Sequence, residues 1–172
     1  MIIEQKALDN SFGLPIGISP EETVYFDIET TGLSPKNSKL YLIGCISVEE
    51  DNLNFKQWFS ESISDETAML QSFYEYAANF DTLIHFNGDG FDLPYIRECA
   101  RQYYLFNPLD DYVSIDIYKK IRHLKKPLGL ERMNQKTLEE FLGLHREDIY
   151  TGGELIEFYY RYTQNKDSNI LH

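Results

Sequence analysis

The sequence predicts an α/β fold organised on a mixed sheet, on three observations. Strand-like runs follow one another between residues 23 and 59 with only short turns between them. A helix-length amphipathic run then leads to another apolar strand at residues 82–86. Beyond it, short strands and helices alternate. Strands that are close in sequence pair antiparallel as a meander, whereas a strand reached through a helix lies parallel to an earlier one by a crossover.

The first of these strands, Tyr25-Phe26-Asp27-Ile28-Glu29-Thr30-Thr31-Gly32-Leu33, is the stretch the rest is arranged around. Side chains alternate along a strand, so Asp27 and Glu29 share one face while Phe26 and Ile28 point to the core. Two neighbouring acids raise each other's pKa unless a cation sits between them, which makes the pair a candidate ligand set for a hard metal. A solvated strand edge is the alternative, and the apolar Val24, Phe26 and Ile28 argue against it. Gly32 ends the strand and is free to take the positive φ of a turn.

Residues 40–48 are apolar on both alternations, as in a strand covered on both faces, and residues 53–59 supply a third strand after a polar turn. Ser64 is the expected cap of a helix whose first turn holds Asp65 and Glu66, with Met69, Phe73, Tyr76, Ala77 and Phe80 on its core face. His85, in the strand that follows, reads as a core histidine.

A second informative stretch comes next: Phe86-Asn87-Gly88-Asp89-Gly90-Phe91-Asp92-Leu93-Pro94-Tyr95-Ile96. A glycine-rich turn leads into a helix that Pro94 opens, with Asp92 at its start. Asp92 is either a plain N-cap or, anchored by Phe91 and Leu93, aimed at whatever the strand ends face. Asn87 either caps the turn or bonds a ligand, and Asp89 reads as a turn residue. Residues 113–116 form a short strand and 117–124 a helix for which Asp116 is an N-cap candidate. Thr137 is expected to cap residues 138–142, and residues 154–163 form a last helix with Leu155, Phe158, Tyr159 and Tyr162 inward. Residues 1–22, broken by Gly13, Pro15, Gly17 and Pro20, read as an irregular N-terminal arm, and residues 23–172 as the domain.

Composition limits the function classes. No run of about 18 apolar residues suggests a membrane span, and Met1-Ile2-Ile3-Glu4-Gln5 shows no basic region ahead of an apolar one. Cys45 and Cys99 lie in apolar runs without metal-knuckle spacing, as buried thiols of a reducing, cytoplasmic protein. The formal net charge of −12, from 16 Lys and Arg against 28 Asp and Glu, argues at first against a nucleic-acid partner. Its distribution softens that, because seven of the cations fall between residues 119 and 136 with one acid, Glu131. That segment is either a track for a polyanion or a solvated face.

Asp27, Glu29 and Asp92 come from two strand ends that a crossover can bring together. Three carboxylates without a thiol or paired histidines suit Mg2+ or Mn2+ rather than zinc. Two such ions about 4 Å apart would activate water and stabilise the leaving oxygen of a phosphodiester.

Phe26-Asp27-Ile28-Glu29-Thr30-Thr31-Gly32-Leu33 resembles the first motif of the DEDD 3′-to-5′ exonucleases, and Phe86-Asn87-Gly88 with Phe91-Asp92-Leu93-Pro94 resembles the second. Together with Tyr41-Leu42-Ile43-Gly44, Leu138-Glu139-Glu140-Phe141-Leu142-Gly143 and Arg146-Glu147-Asp148-Ile149, the chain is most similar to the YprB-like branch of the ribonuclease H-like superfamily. The resemblance implies a mixed five-stranded sheet, its first three strands antiparallel, with helices on both faces. It also implies that Asp27 bridges two ions, Glu29 holds the ion that activates water and Asp92 supports the second ion. Thr30, Thr31, Gly32, Leu33 and Asn87 are implied on the substrate side. The family takes a fourth carboxylate from a late helix, after a His or Tyr. No Asp follows His172 here, so the expectation is a site completed beyond residue 172 or a weak one. A nuclease on DNA or RNA, alone or beside a further domain or helicase, therefore stands against a binding module that recognises nucleic acid or protein without cutting. An enzyme on small phosphate esters is the third reading.

Overall fold

The computed structural model describes residues 1–8, 19–49, 52–144 and 150–166. The apolar scatter at Phe12, Leu14, Ile16 and Ile18, the turn acids Glu50 and Asp51, the Arg146-to-Ile149 segment and the chain end from Asp167 to His172 lie outside the described residues.

The sheet has six strands in the order β1-β4-β3-β2-β5-β6. These are β1 (Ile2–Leu8), β2 (Thr23–Thr30), β3 (Leu40–Glu49), β4 (Asn52–Phe59), β5 (Thr82–His85) and β6 (Val113–Asp116). β2, β3 and β4 form the expected antiparallel meander, and β5 joins β2 in parallel through the crossover helix, followed by β6 in parallel with β5. The sixth strand is a correction. β1 pairs antiparallel with β4 from Ile2 opposite Phe59 to Leu8 opposite Leu53, so the first residues of the expected irregular arm are an edge strand. It was hidden because an edge strand covers little: Ile3, Glu4, Gln5 and Lys6 are all exposed, and no clean alternation marks them.

One face of the sheet packs on α1 (Glu66–Ala77) and α2 (Asp92–Gln102). Val24, Phe26 and Ile28 of β2 meet Ile43, Trp58, Leu70, Phe73, Tyr95 and Ile96 in a single core. Each such side chain withdrawn from water contributes about 1.5–3 kcal/mol. The opposite face carries Asp27 and Glu29 and is only partly covered, by α5 (Gly152–Asn165) near β4 and by α3 (Ile117–Ile121) and α4 (Gln135–Phe141) near β5. Leaving that face open is what exposes the acids.

Local caps differ in detail from the expectations. Ser62, not Ser64, opens a 3-10 turn in a reciprocal capping box with Asp65, which leads directly into α1. Asn134 rather than Thr137 caps α4, its side chain accepting from the Thr137 N–H at 3.0 Å. Thr151 and Glu154 form the capping box of α5. Glu66 is buried instead of facing water at the helix start. Its Oε1 accepts from the Leu40 N–H at 2.9 Å, its Oε2 from Lys39 Nζ at 3.0 Å and from the Tyr103 hydroxyl. One carboxylate thereby ties α1 to the start of β3 and the end of α2. Gly32 does not take a positive φ. Its lack of a side chain lets Ser38 approach, since an added Cβ would lie 3.2 Å from Ser38 Cβ. Cys45 and Cys99 are buried free thiols.

Candidate active site

Period-two alternation places Asp27 and Glu29 on the open face of β2, Asp27 exposed and Glu29 half-buried, while Phe26 and Ile28 are buried beneath them. Asp92 arrives from the first turn of α2 and is buried. It is not an N-cap: it lies inside the helix, and Phe91 stands at the cap position without a side-chain bond. Instead, Asp92 Oδ1 accepts from the Ile28 N–H at 3.2 Å, between Asp27 and Glu29 in the chain. That bond sets Asp92 beside the acidic strand, near enough for the charge of Asp27 to act on its carboxyl.

The electrostatics follow from that crowding. Burial, and secondarily the charge of Asp27, push the Asp92 carboxyl up to about 7. Burial and Asp27 also raise Glu29 above the usual carboxylate range. Among the described residues no Lys or Arg forms an ion pair with Glu29 or Asp92. Like charges held together at this cost fit a hard dication, whose charge offsets their repulsion and whose preferred ligands are oxygens.

Asp27 and Glu29 line a groove of about 370 Å³ with Gly44, Phe86, Ile117 and Gln135. Glu29 also borders a second cavity of the same size, walled by Tyr41, Phe59, Phe158 and Tyr159. Tyr159 stacks on Tyr41 with ring centroids 4.5 Å apart. The turn after β2 is closed by its own side chains: Thr30 Oγ1 donates to the Gly32 carbonyl at 2.9 Å, and Thr31 Oγ1 accepts from the Lys39 N–H at 2.9 Å. Leu33 stands out into solvent, 86% exposed. Asn87 is exposed on a left-handed backbone at φ 61°, held by its N–H donating to Asp116 Oδ1 at 3.0 Å.

A second cluster, His85, Asp89 and Asp116, brings one ligand atom from each residue to within 4.8 Å of the others. Sequence reading took these three one at a time and missed the cluster. The signal was the parallel pairing of two adjacent short strands, which sets His85 opposite Asp116. Its hydrogen bonds engage both nitrogens of His85, both oxygens of Asp89 and one oxygen of Asp116. The Gly88 N–H donates to His85 Nδ1 at 3.0 Å, so the ring proton of the neutral imidazole sits on Nε2, facing Ser114 Oγ at 2.9 Å. Ser114 donates in turn to Asp89 Oδ1 at 3.0 Å, and Lys119 Nζ lies 2.6 Å from Asp89 Oδ2. Burial lowers the His85 pKa, which keeps the ring neutral. Asp116 Oδ1 accepts from Asn87 and Lys119, the latter as the N-cap of α3, while its buried Oδ2 has no partner. This arrangement shapes the turn that carries Asn87 and leads into Asp92.

Comparison with known proteins agrees with this architecture. YprB of Bacillus subtilis (strain 168), an uncharacterized protein, is 26% identical over 160 residues, which is 90% of this chain and 38% of YprB. The family B DNA polymerase of Pyrobaculum calidifontis superposes with a TM-score of 0.64 at 17% identity, over 85% of this chain and 22% of the polymerase. E. coli Exonuclease I in complex with a dA16 oligonucleotide superposes with a TM-score of 0.53 at 12% identity, over 86% of this chain and 41% of that protein. The chain thus spans well under half the length of each. The RNase H superfamily model matches residues 24–172, from β2 onward. By that match and by its sheet, the chain belongs to the RNase H superfamily, as a YprB-like domain.

Proposed function

We propose that this domain is a metal-dependent nuclease that hydrolyses phosphodiester bonds of DNA or RNA from the 3′ end, in the cytoplasm. The observation that carries the reading is the buried Asp92 bonded to the Ile28 N–H, between Asp27 and Glu29, which line a groove open to solvent. Asp27, Glu29 and Asp92 would hold Mg2+ or Mn2+. The bound ions would supply water activation and charge stabilisation at the leaving oxygen.

The chain's own residues do the rest. The Ile28 N–H fixes Asp92 Oδ1, holding its carboxyl buried beside the acidic strand. The turn closed by Thr30 and Thr31 presents Gly32 and Leu33 at the end of the acidic strand, where the exposed Leu33 is free to lie against a terminal base. Asn87, held left-handed by Asp116, reaches out from the other side. Similarity to Exonuclease I, a protein seen with bound oligonucleotide, supports a nucleic-acid substrate.

A second reading, a binding module that does not cut, is favoured by one observation. The chain carries a formal net charge of −12, which opposes the approach of a phosphate backbone outside its basic stretch. The experiment follows 5′-labelled single-stranded and duplex DNA and RNA in Mn2+, comparing this chain, an extension past His172, and that extension with Asp27→Asn. A ladder shortening from the 3′ end that disappears in Asp27→Asn supports the exonuclease. Binding without cleavage of any substrate by the extension leaves the binding module.

A further inference from the structure

A basic stretch that the acid cluster does not explain starts and ends at the wall of the acidic groove. The chain leaves the groove wall at Ile117 and returns to it at Gln135. From residue 119 to 136 it carries seven cations and one acid, whereas the remainder of the chain carries nine cations and 27 acids. Lys119 is spent on Asp89. Lys120, Arg122, Lys125, Lys126, Arg132 and Lys136 are all exposed, and among the described residues none of them forms an ion pair.

The segment is built to hold its charges in place. Phe86 and Tyr118 pack with ring centroids 5.8 Å apart at its start, and Met133 is buried near its end. Between them the Leu128 N–H donates to the Leu124 carbonyl at 2.9 Å, the Leu130 N–H to the Lys125 carbonyl at 3.0 Å and the Gly129 N–H to the Lys126 carbonyl at 3.0 Å. Gly129 makes that closure at φ 65°. A self-bonded turn with outward cations differs from a solvated helix face, on which charges of both signs alternate.

We infer that residues 119–136 form the track for the phosphate backbone of a nucleic-acid strand whose end lies in the groove. Concentrating the cations here, on a chain of net charge −12, directs a polyanion to a segment whose two ends meet the groove wall beside Asp27 and Glu29. The inference rests on the nuclease reading for where the strand ends, and not for the binding itself.

The test measures binding without cleavage. Fluorescence anisotropy of a labelled single-stranded oligonucleotide is followed in EDTA across a salt series. The parent is compared with Lys120→Gln/Arg122→Gln/Lys125→Gln/Lys126→Gln and with a control, Lys6→Gln/Lys36→Gln; thermal melts confirm that each variant folds. For a single strand, each neutralised phosphate contributes about −0.7 to the slope of log affinity against log salt. The quadruple variant is expected to lose on the order of 10- to 100-fold in affinity at low salt and to show a slope shallower by roughly 3, with the control unchanged. Equal affinity and slope for parent and quadruple variant would overturn the proposal. Displacement of the oligonucleotide by poly-glutamate at equal charge would also overturn it, by showing a general polyanion patch. Absence of cleavage in the separate Mn2+ assay, with this binding pattern intact in EDTA, sinks the nuclease reading alone.

Discussion

At Asp92 the neighbouring charge is another carboxylate, Asp27, and burial adds to the cost, so the pKa is pushed up to about 7. At Asp89 a lysine stands 2.6 Å from one oxygen and a serine hydroxyl donates to the other, so the pKa is held down. Both clusters sit near the C-terminal ends of the parallel strands β2, β5 and β6, and both combine acids from two parts of the chain. The contrast separates a candidate metal site from a structural network that also gathers acids. In the structural network the fold supplies Asp89 with a counter-charge from Lys119 and a donor from Ser114. In the other, no Lys or Arg among the described residues pairs with Glu29 or Asp92, and burial with the charge of Asp27 raises both carboxyls.

The largest expected effect comes from Asp27→Asn. It should remove Mn2+-dependent stabilisation and reduce cleavage by more than the roughly 10- to 100-fold that loss of an outer-shell partner costs a metal site. Asp89→Asn should leave both within about twofold and cost only the roughly 0–1 kcal/mol of a partly exposed ion pair. Equal effects of the two variants would erase the distinction between the clusters.

Gly88→Ala probes the structural network next. An added Cβ would lie 2.7 Å from the His85 ring, inside contact distance, so a loss of about 1–3 kcal/mol is expected in denaturant unfolding. No loss would mean that His85 is not held where its bond to the Gly88 N–H requires.

The clusters also predict opposite responses to pH in metal-free protein. Asp92 is raised from its ordinary 3.8 to about 7, so its contribution is complete below about 4 and is lost as pH rises through 7. Asp89 is lowered, so its contribution is present above 3.8 and lost as pH falls through its folded value. Melting temperatures between pH 3 and 8 should therefore show Asp92→Asn gaining on the parent as pH rises and Asp89→Asn gaining as pH falls. Curves parallel to the parent for both variants would remove the electrostatic basis of the comparison. The smallest structural effect is expected for Leu33→Ala: exposed as it is, its loss should leave the melting temperature unchanged and weaken only oligonucleotide cleavage.

Much of the acidic site was legible in the sequence because it is written in local patterns. Asp27 and Glu29 follow from strand alternation, and Asp92 from a glycine turn running into a helix. The His85 network was not, because its members lie on β5, a turn and β6, and each is ordinary alone; only the parallel register joins them. β1 was missed because an edge strand buries too little to force a hydrophobic alternation. The caps at Ser62 and Asn134 lay two and three residues before the expected ones, where side-chain geometry and not residue type decides.

The central claim is that the Asp27, Glu29 and Asp92 cluster, and not the His85, Asp89 and Asp116 cluster, takes the dication. Isothermal titration of Mn2+ into the parent, Asp27→Asn and Asp89→Asn tests it directly. Binding is expected in the parent and in Asp89→Asn and is expected to be lost in Asp27→Asn. Binding retained by Asp27→Asn and lost in Asp89→Asn would place the ion beside His85 and contradict it.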